Sequence, residues 1–170
     1  MDENAQVFVM RYWLCKTEPG ECSIDDIHQR GTEPWTGIRN YTVRNYIRDN
    51  IHPGDYVFIY HSSIASPHIA GIGIVSSEAY PDPTQFDAAS EYFDSKSQLS
   101  NPRWLAFDIR YLSHASPTMS LTEMRANPAL QELAVLRRGN RLSITPVAES
   151  EAKQLLKLIG YPEDPAPHGQ

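Results

Sequence analysis

Side chains able to do chemistry gather in three short stretches of this 170-residue chain. In Pro34-Trp35-Thr36-Gly37-Ile38-Arg39-Asn40 a large aromatic stands beside a glycine that lets backbone approach a ligand. An arginine and an asparagine able to read polar edges follow it. Trp35 serves equally as a stacking surface or as an anchor for its loop. Tyr60-His61-Ser62-Ser63 offers an aromatic wall and several hydrogen-bonding groups at the end of an apolar run, with a histidine satisfied in the core as the plainer role for His61. Arg137-Arg138-Gly139-Asn140-Arg141 sets three arginines around a Gly-Asn turn, a pattern suited to phosphate or carboxylate, or simply a solvated turn.

Other chemistry is missing. No nucleophile elbow, Gly-rich phosphate loop or paired-carboxylate spacing is present. His61 and Ser62 are neighbours on a strand and point to opposite faces, so they do not make a nucleophile and its base. Cys15 and Cys22 lack a second pair or a histidine at metal-ligand spacing, which argues against zinc and for free thiols in a reducing compartment. No metal, cofactor or catalytic residue is expected.

With 15 Lys+Arg against 21 Asp+Glu the formal charge is −6, which excludes a basic coat for nucleic acid. The charge is uneven: residues 78–94 hold five acids and no Lys or Arg. Arg39, Arg44 and Arg48 would form a basic rim with the arginine turn if the fold joined them. At 41% hydrophobic and 21% charged the chain is globular, and a single unit this size buries about 70% of its unfolded surface.

These clusters need elements to position them. Residues 7–15 are rich in β-branched and aromatic types and read as a first strand, after an extension over 1–9; Pro19 and Gly20 end it. Ser23-Ile24-Asp25-Asp26 has the form of a capping box before a short helix stopping at Gly31, and Asn40 caps a second helix with Val43, Tyr46, Ile47 and Ile51 on one face. A loop over 32–39 joins them. After the turn at Pro53-Gly54-Asp55, residues 55–61 are apolar on both faces and predict a strand covered on both sides. Residues 68–80 predict another, with Gly71 and Gly73 marking a bulge or close backbone approach. Residues 81–102 lack periodicity and are expected to drape over the sheet. A half-buried strand follows over 103–112, then helix starts at Ser120 and Asn127-Pro128, a last strand over 142–147, an amphipathic helix over 149–159 stopped by Gly160, and a loose tail over 161–170. Strands dispersed among short helices imply an α+β domain on a strongly curved mixed sheet.

Six ordered motifs carry a family resemblance: Tyr12-Trp13-Leu14-Cys15-Lys16-Thr17-Glu18-Pro19, the run from Pro34 to Tyr41, residues 57–62, Ala79-Tyr80-Pro81-Asp82-Pro83-Thr84, Pro102-Arg103-Trp104, and residues 136–143. Over residues 10–160 the chain resembles the EVE domain family of the PUA-like superfamily, thymocyte nuclear protein type. Thr17 stands where that family has Ser, and Cys15 and Cys22 where it often has bulkier residues.

The resemblance implies a PUA-like mixed β pseudo-barrel flanked by short helices. It implies a monomeric reader, without catalysis, that binds a modified nucleobase, methylated or hydroxymethylated cytosine in DNA more than in RNA. Carried over by position, Trp35 would stack on the extruded base and Trp13 and Tyr60 would complete the walls. Gly37 would let backbone approach, and Lys16, Asn40, His61 and Ser62 would offer polar contacts. Arg39, Arg137 and Arg141 would hold phosphates, while Trp104 leans to a core role. The implied location is cytoplasmic, or nuclear in a eukaryote, away from membranes. The alternative is an amidohydrolase of modified nucleosides, like ASCH-type relatives, using Lys16, Thr17 and Glu18. A plain protein-interaction module would make the Trp and Arg clusters structural.

Overall fold

The computed structural model describes residues 11–162. The extension over 1–9, the expected strand start at Val7 and the tail beyond 162 lie outside them. The chain runs β1 (Tyr12–Thr17), α1 (Ile24–Arg30), β2 (Thr32–Trp35), α2 (Tyr41–Asp49), β3 (Tyr56–His61), β4 (His68–Val75), β5 (Tyr80–Pro81), β6 (Leu105–Ser120), α3 (Leu121–Ala126), β7 (Ile144–Val147) and α4 (Glu149–Leu158). The seven strands form one mixed sheet in the order β2-β6-β4-β3-β1-β7, with β5 added to β6. β1 and β3 run parallel; every other pairing is antiparallel.

Strand alternation divides the apolar side chains between two cores. Tyr12, Leu14, Tyr56, Phe58 and Tyr60 pack with Met124 of α3 and Leu155 and Leu156 of α4. Trp13, Cys15, Val57 and Ile59 face the other way, against Ile24 and Ile27 of α1 and Val43 and Ile47 of α2. β3 lies between both layers, and all six of its residues are buried. The helices begin where their side chains can satisfy free backbone donors: Ser23 and Asp26 form a reciprocal capping box, and Asn40 accepts from the Val43 N–H.

Three elements differ from the sequence reading. Residues 32–35, expected in a loop, form the edge strand β2. Pro34 is tolerated because it sits opposite Asp108, whose backbone N–H and C=O are taken by Ser77 Oγ and the Ser76 N–H, so no ladder bond to β2 is lost. The strand expected over 68–80 stops at Val75, because Ser76 and Ser77 turn their bonds to Asp108 before the chain resumes as β5. β6 runs on to Ser120, its polar second half held by pairing of Met119 and Ser120 with Ile69 and His68.

The glycines of β4 mark irregular pairing. The β4–β6 register shifts between Ile69 and Gly71 and again between Ile72 and Gly73. A Cβ on Gly71 would lie 2.5 Å from Ile24 Cδ1 and 2.6 Å from the Ser113 carbonyl oxygen, which is backbone and cannot swing aside. Gly71→Ala is therefore expected to lower the unfolding free energy by about 1–3 kcal/mol, read as a lower urea midpoint at unchanged slope.

Candidate functional site

The parallel pairing brings the carboxyl ends of β1 and β3 together, with Lys16 beside Tyr60 and Thr17 beside His61. The Ser62 N–H donates to the Thr17 carbonyl at 2.9 Å, and the Lys16 N–H donates to the Ser143 carbonyl at 2.8 Å. Three chain segments are thereby tied into one wall. β2 and the turn to Ile38 form a second wall, and Tyr92 contributes from the long 81–102 segment. Between them lies a cleft of about 470 Å³, in the range of sites for small organic groups.

Asp82 fixes that third contributor in place. It is fully buried, and its carboxylate accepts from the Gly37 N–H at 2.8 Å, from Arg39 Nη1 at 3.0 Å, and from the Thr84 N–H and hydroxyl at 2.8 and 2.6 Å. Arg39 also donates through Nε and Nη2 to the Tyr92 carbonyl. Gly37 has φ +83°, and a Cβ there would stand 2.8 Å from Tyr92 Cζ, so only glycine admits the tyrosine ring. The rest of the segment is ordered by buried Gln85, which donates to the Asp82 and Trp104 carbonyls and accepts from the Trp104 N–H.

Planar groups continue outward from Tyr92. The Arg39 guanidinium lies 5.5 Å from the ring centroids of both Tyr92 and Trp104, Tyr41 sits 4.8 Å from Trp104, and Arg44 caps Tyr41 at 4.9 Å. Tyr92 is thus one end of a chain of cation–π and aromatic contacts. On β2, Trp35 lines the cleft with only 7% of its surface exposed. Its indole N–H has no partner among the described residues, and no fully buried side-chain N or O there lacks one, so this donor keeps some surface open to solvent.

Charges of both signs line the space: Lys16 and Arg141 against Glu18, Glu21 and Glu33. Burial pushes the Lys16 amine below its ordinary value, and its Nζ lies 3.5 Å from the Asn140 carbonyl as a donor. Burial, with help from Glu33, pushes the Cys22 thiol up to about 11. Cys22 thus stays protonated and is a poor nucleophile. Among the described residues no cluster of three or more His, Cys, Asp or Glu could hold a metal ion.

Of the residues expected at a base pocket, Lys16, Trp35, Gly37 and Ser62 converge on this cleft, as does Arg141 from the phosphate set. Trp13 and Tyr60 do not. Trp13 points into the second core, where its indole donates to Asp55 at 3.0 Å, and Tyr60 points into the first, 3% exposed. His61 is buried and its Nε2 accepts from the Ile24 N–H at the start of α1, while Asn40 caps α2. Arg39 is spent on Asp82 and Tyr92, and Arg137 is exposed on the turn before Arg141 without lining the cleft. The basic rim does not form from Arg44 and Arg48, which bond the Arg103 carbonyl and Asp49. Sequence reasoning missed Tyr92 and Glu33: one lies in an aperiodic segment, the other in a strand disguised by Pro34.

The EVE domain family model matches residues 11–158. Human thymocyte nuclear protein 1 is 32% identical over 165 residues, covering 86% of this chain and 73% of its own length. A protein of known structure from Pseudomonas syringae superposes with a TM-score of 0.82 at 39% identity, covering 86% of this chain and 98% of that one. The human protein's structure in complex with 5-methylcytosine-containing DNA gives a TM-score of 0.81 at 31% identity, covering 92% and 99%. An ASCH protein from Zymomonas mobilis shares the fold, with a TM-score of 0.51 at 10% identity over 86% of this chain and 97% of that one.

Burial alone would raise the Asp82 carboxyl, but the bonds from Thr84, Gly37 and Arg39 outweigh it and hold its pKa below the ordinary carboxylate value. Its stabilisation is complete above the unfolded value of about 3.9 and is lost as pH falls through the lower native value. Asp82→Asn is expected to cost about 1.5–3 kcal/mol at neutral pH and to flatten the acid limb of stability below about pH 4, measured by urea unfolding across pH.

Proposed function

The chain belongs to the EVE domain family, and we propose that it is a non-catalytic reader that takes one extruded, methylated or hydroxymethylated cytosine of DNA into the cleft lined by Trp35 and Tyr92. The observation that carries this reading is Trp35, a nearly buried ring whose N–H is left for a ligand. The human relative solved with 5-methylcytosine-containing DNA supports the choice of polymer and base. Among the described residues no helix is long and apolar enough to cross a membrane. The reader works as a monomer in the cytoplasm, or in the nucleus of a eukaryote.

Physical balance favours binding through a few contacts. Extruding a base costs a few kcal/mol, and stacking returns about 1–3 kcal/mol per base, so phosphate contacts supply the remainder. Arg137, Arg138 and Arg141 stand exposed on one turn, and Arg141 reaches the cleft. They take the phosphates, and Arg39 braces Tyr92 instead. Catalysis by Lys16, Thr17 and Glu18 is disfavoured because the Thr17 hydroxyl donates to the Cys22 carbonyl at 2.8 Å and holds backbone in place. The ASCH likeness concerns the fold alone.

Tyr92→Ala is expected to weaken binding of a 5-methylcytosine oligonucleotide by about 1–3 kcal/mol in fluorescence anisotropy, with the melting temperature nearly kept. Unchanged affinity would remove Tyr92 from the site. Arg141→Ala is expected to weaken modified and unmodified strands equally and to flatten the slope of log K against log salt by about 0.7–0.9. Multiple turnover of acylated or alkylated nucleosides, followed by mass spectrometry, would overturn the reader in favour of an amidohydrolase.

A further inference from the structure

Glu33 and Trp35 are two residues apart on β2, so their side chains share one face of the strand; both are turned inward while Thr32 and Pro34 are exposed. Pairing with Ile109 and Phe107 of β6 holds them in register, on a rigid element rather than a loop. Both line the cleft. The strand therefore presents a donor, the unpartnered Trp35 N–H, next to a group that only accepts, the Glu33 carboxylate. Glu33 is 16% exposed; its carboxylate accepts from Arg30 Nη1 at 2.8 Å through Oε2 and from the neighbouring Cys22 thiol, which leaves lone pairs on its two oxygens for a further donor. Glu18 and Glu21 also line the cleft and add negative charge that repels phosphate.

We propose, on the basis of the reader function above, that Glu33 accepts a hydrogen bond from the exocyclic amine of the bound base, so that the cleft selects a 4-aminopyrimidine over its 4-oxo counterpart. Cytosine offers an N4 donor beside the N3 and O2 acceptors, matching Glu33 and the Trp35 N–H. Thymine carries the same 5-methyl group but presents O4, an acceptor, to the carboxylate. A site built around a hydrogen bond rejects the mismatched analogue because its own buried polar groups go unpaired. The methyl group alone separates 5-methylcytosine from cytosine by about fourfold. The amine is thus the stronger of the two signals.

The test uses single-stranded oligonucleotides identical except for one central base, 5-methylcytosine, thymine or cytosine, so that no partner strand alters the cost of extrusion. In fluorescence anisotropy the protein is expected to bind the 5-methylcytosine strand roughly tenfold or more tightly than the thymine strand. E33Q, which keeps the size and supplies both a donor and an acceptor, is expected to bring that ratio close to one while retaining the melting temperature and the preference for 5-methylcytosine over cytosine. Equal binding of all three strands by the unaltered protein would overturn the reader function and the role of Glu33 with it. A protein that prefers 5-methylcytosine to cytosine but not to thymine, or an E33Q variant that keeps the thymine ratio, would overturn the role of Glu33 alone.

Discussion

One buried carboxylate joins the two halves of the cleft. Asp82 lies in a stretch whose sequence lacks periodicity, yet it accepts from the backbone of the β2 turn, from Arg39 and from Thr84 at once. A charge so deep is tolerable only when its bonds are complete, so Gly37 and Tyr92 are held at a fixed separation by the cost of breaking any of them. The chain of cation–π and aromatic contacts behind Tyr92 then has little freedom to shift. A wall made of loop residues acquires the stiffness of a strand, and stiffness lets aromatic contact favour one ligand shape.

Two-sided burial of the sheet decides which aromatics reach the cleft. Because β1 and β3 are covered on both faces, Trp13 and Tyr60 are claimed by opposite cores, and neither is free to wall a pocket. Residues at the strand ends escape this rule. Lys16 and Ser62 stand where β1 and β3 run out, and Glu33 and Trp35 stand on an edge strand with a single neighbour. The cleft lies where the sheet stops being able to bury its own side chains.

Much of this was legible in the sequence where local chemistry decides the outcome. The capping box at Ser23, the Asn40 cap, the two-sided strand β3 and the register shifts at the β4 glycines each follow from a few adjacent residues. The EVE domain and its PUA-like mixed sheet were legible from ordered motifs. What escaped depends on contacts distant in sequence. Nothing near Tyr92 announces that Arg39, 53 positions away, holds its carbonyl. The number of aromatic motifs says nothing of which face each ring takes, and the Trp13 indole looks alike in sequence whether it meets Asp55 or a ligand.

Pro34 carries a consequence beyond the geometry of the site. An open sheet edge is a template on which a further strand, from the same or another polypeptide, can add by backbone hydrogen bonds. β2 is such an edge, short at four residues, and at its third position the outward row lacks an N–H because the residue is proline. The feature that makes the strand hard to recognise also blunts it against edge-to-edge aggregation, at the place where the protein must keep polar and aromatic groups uncovered.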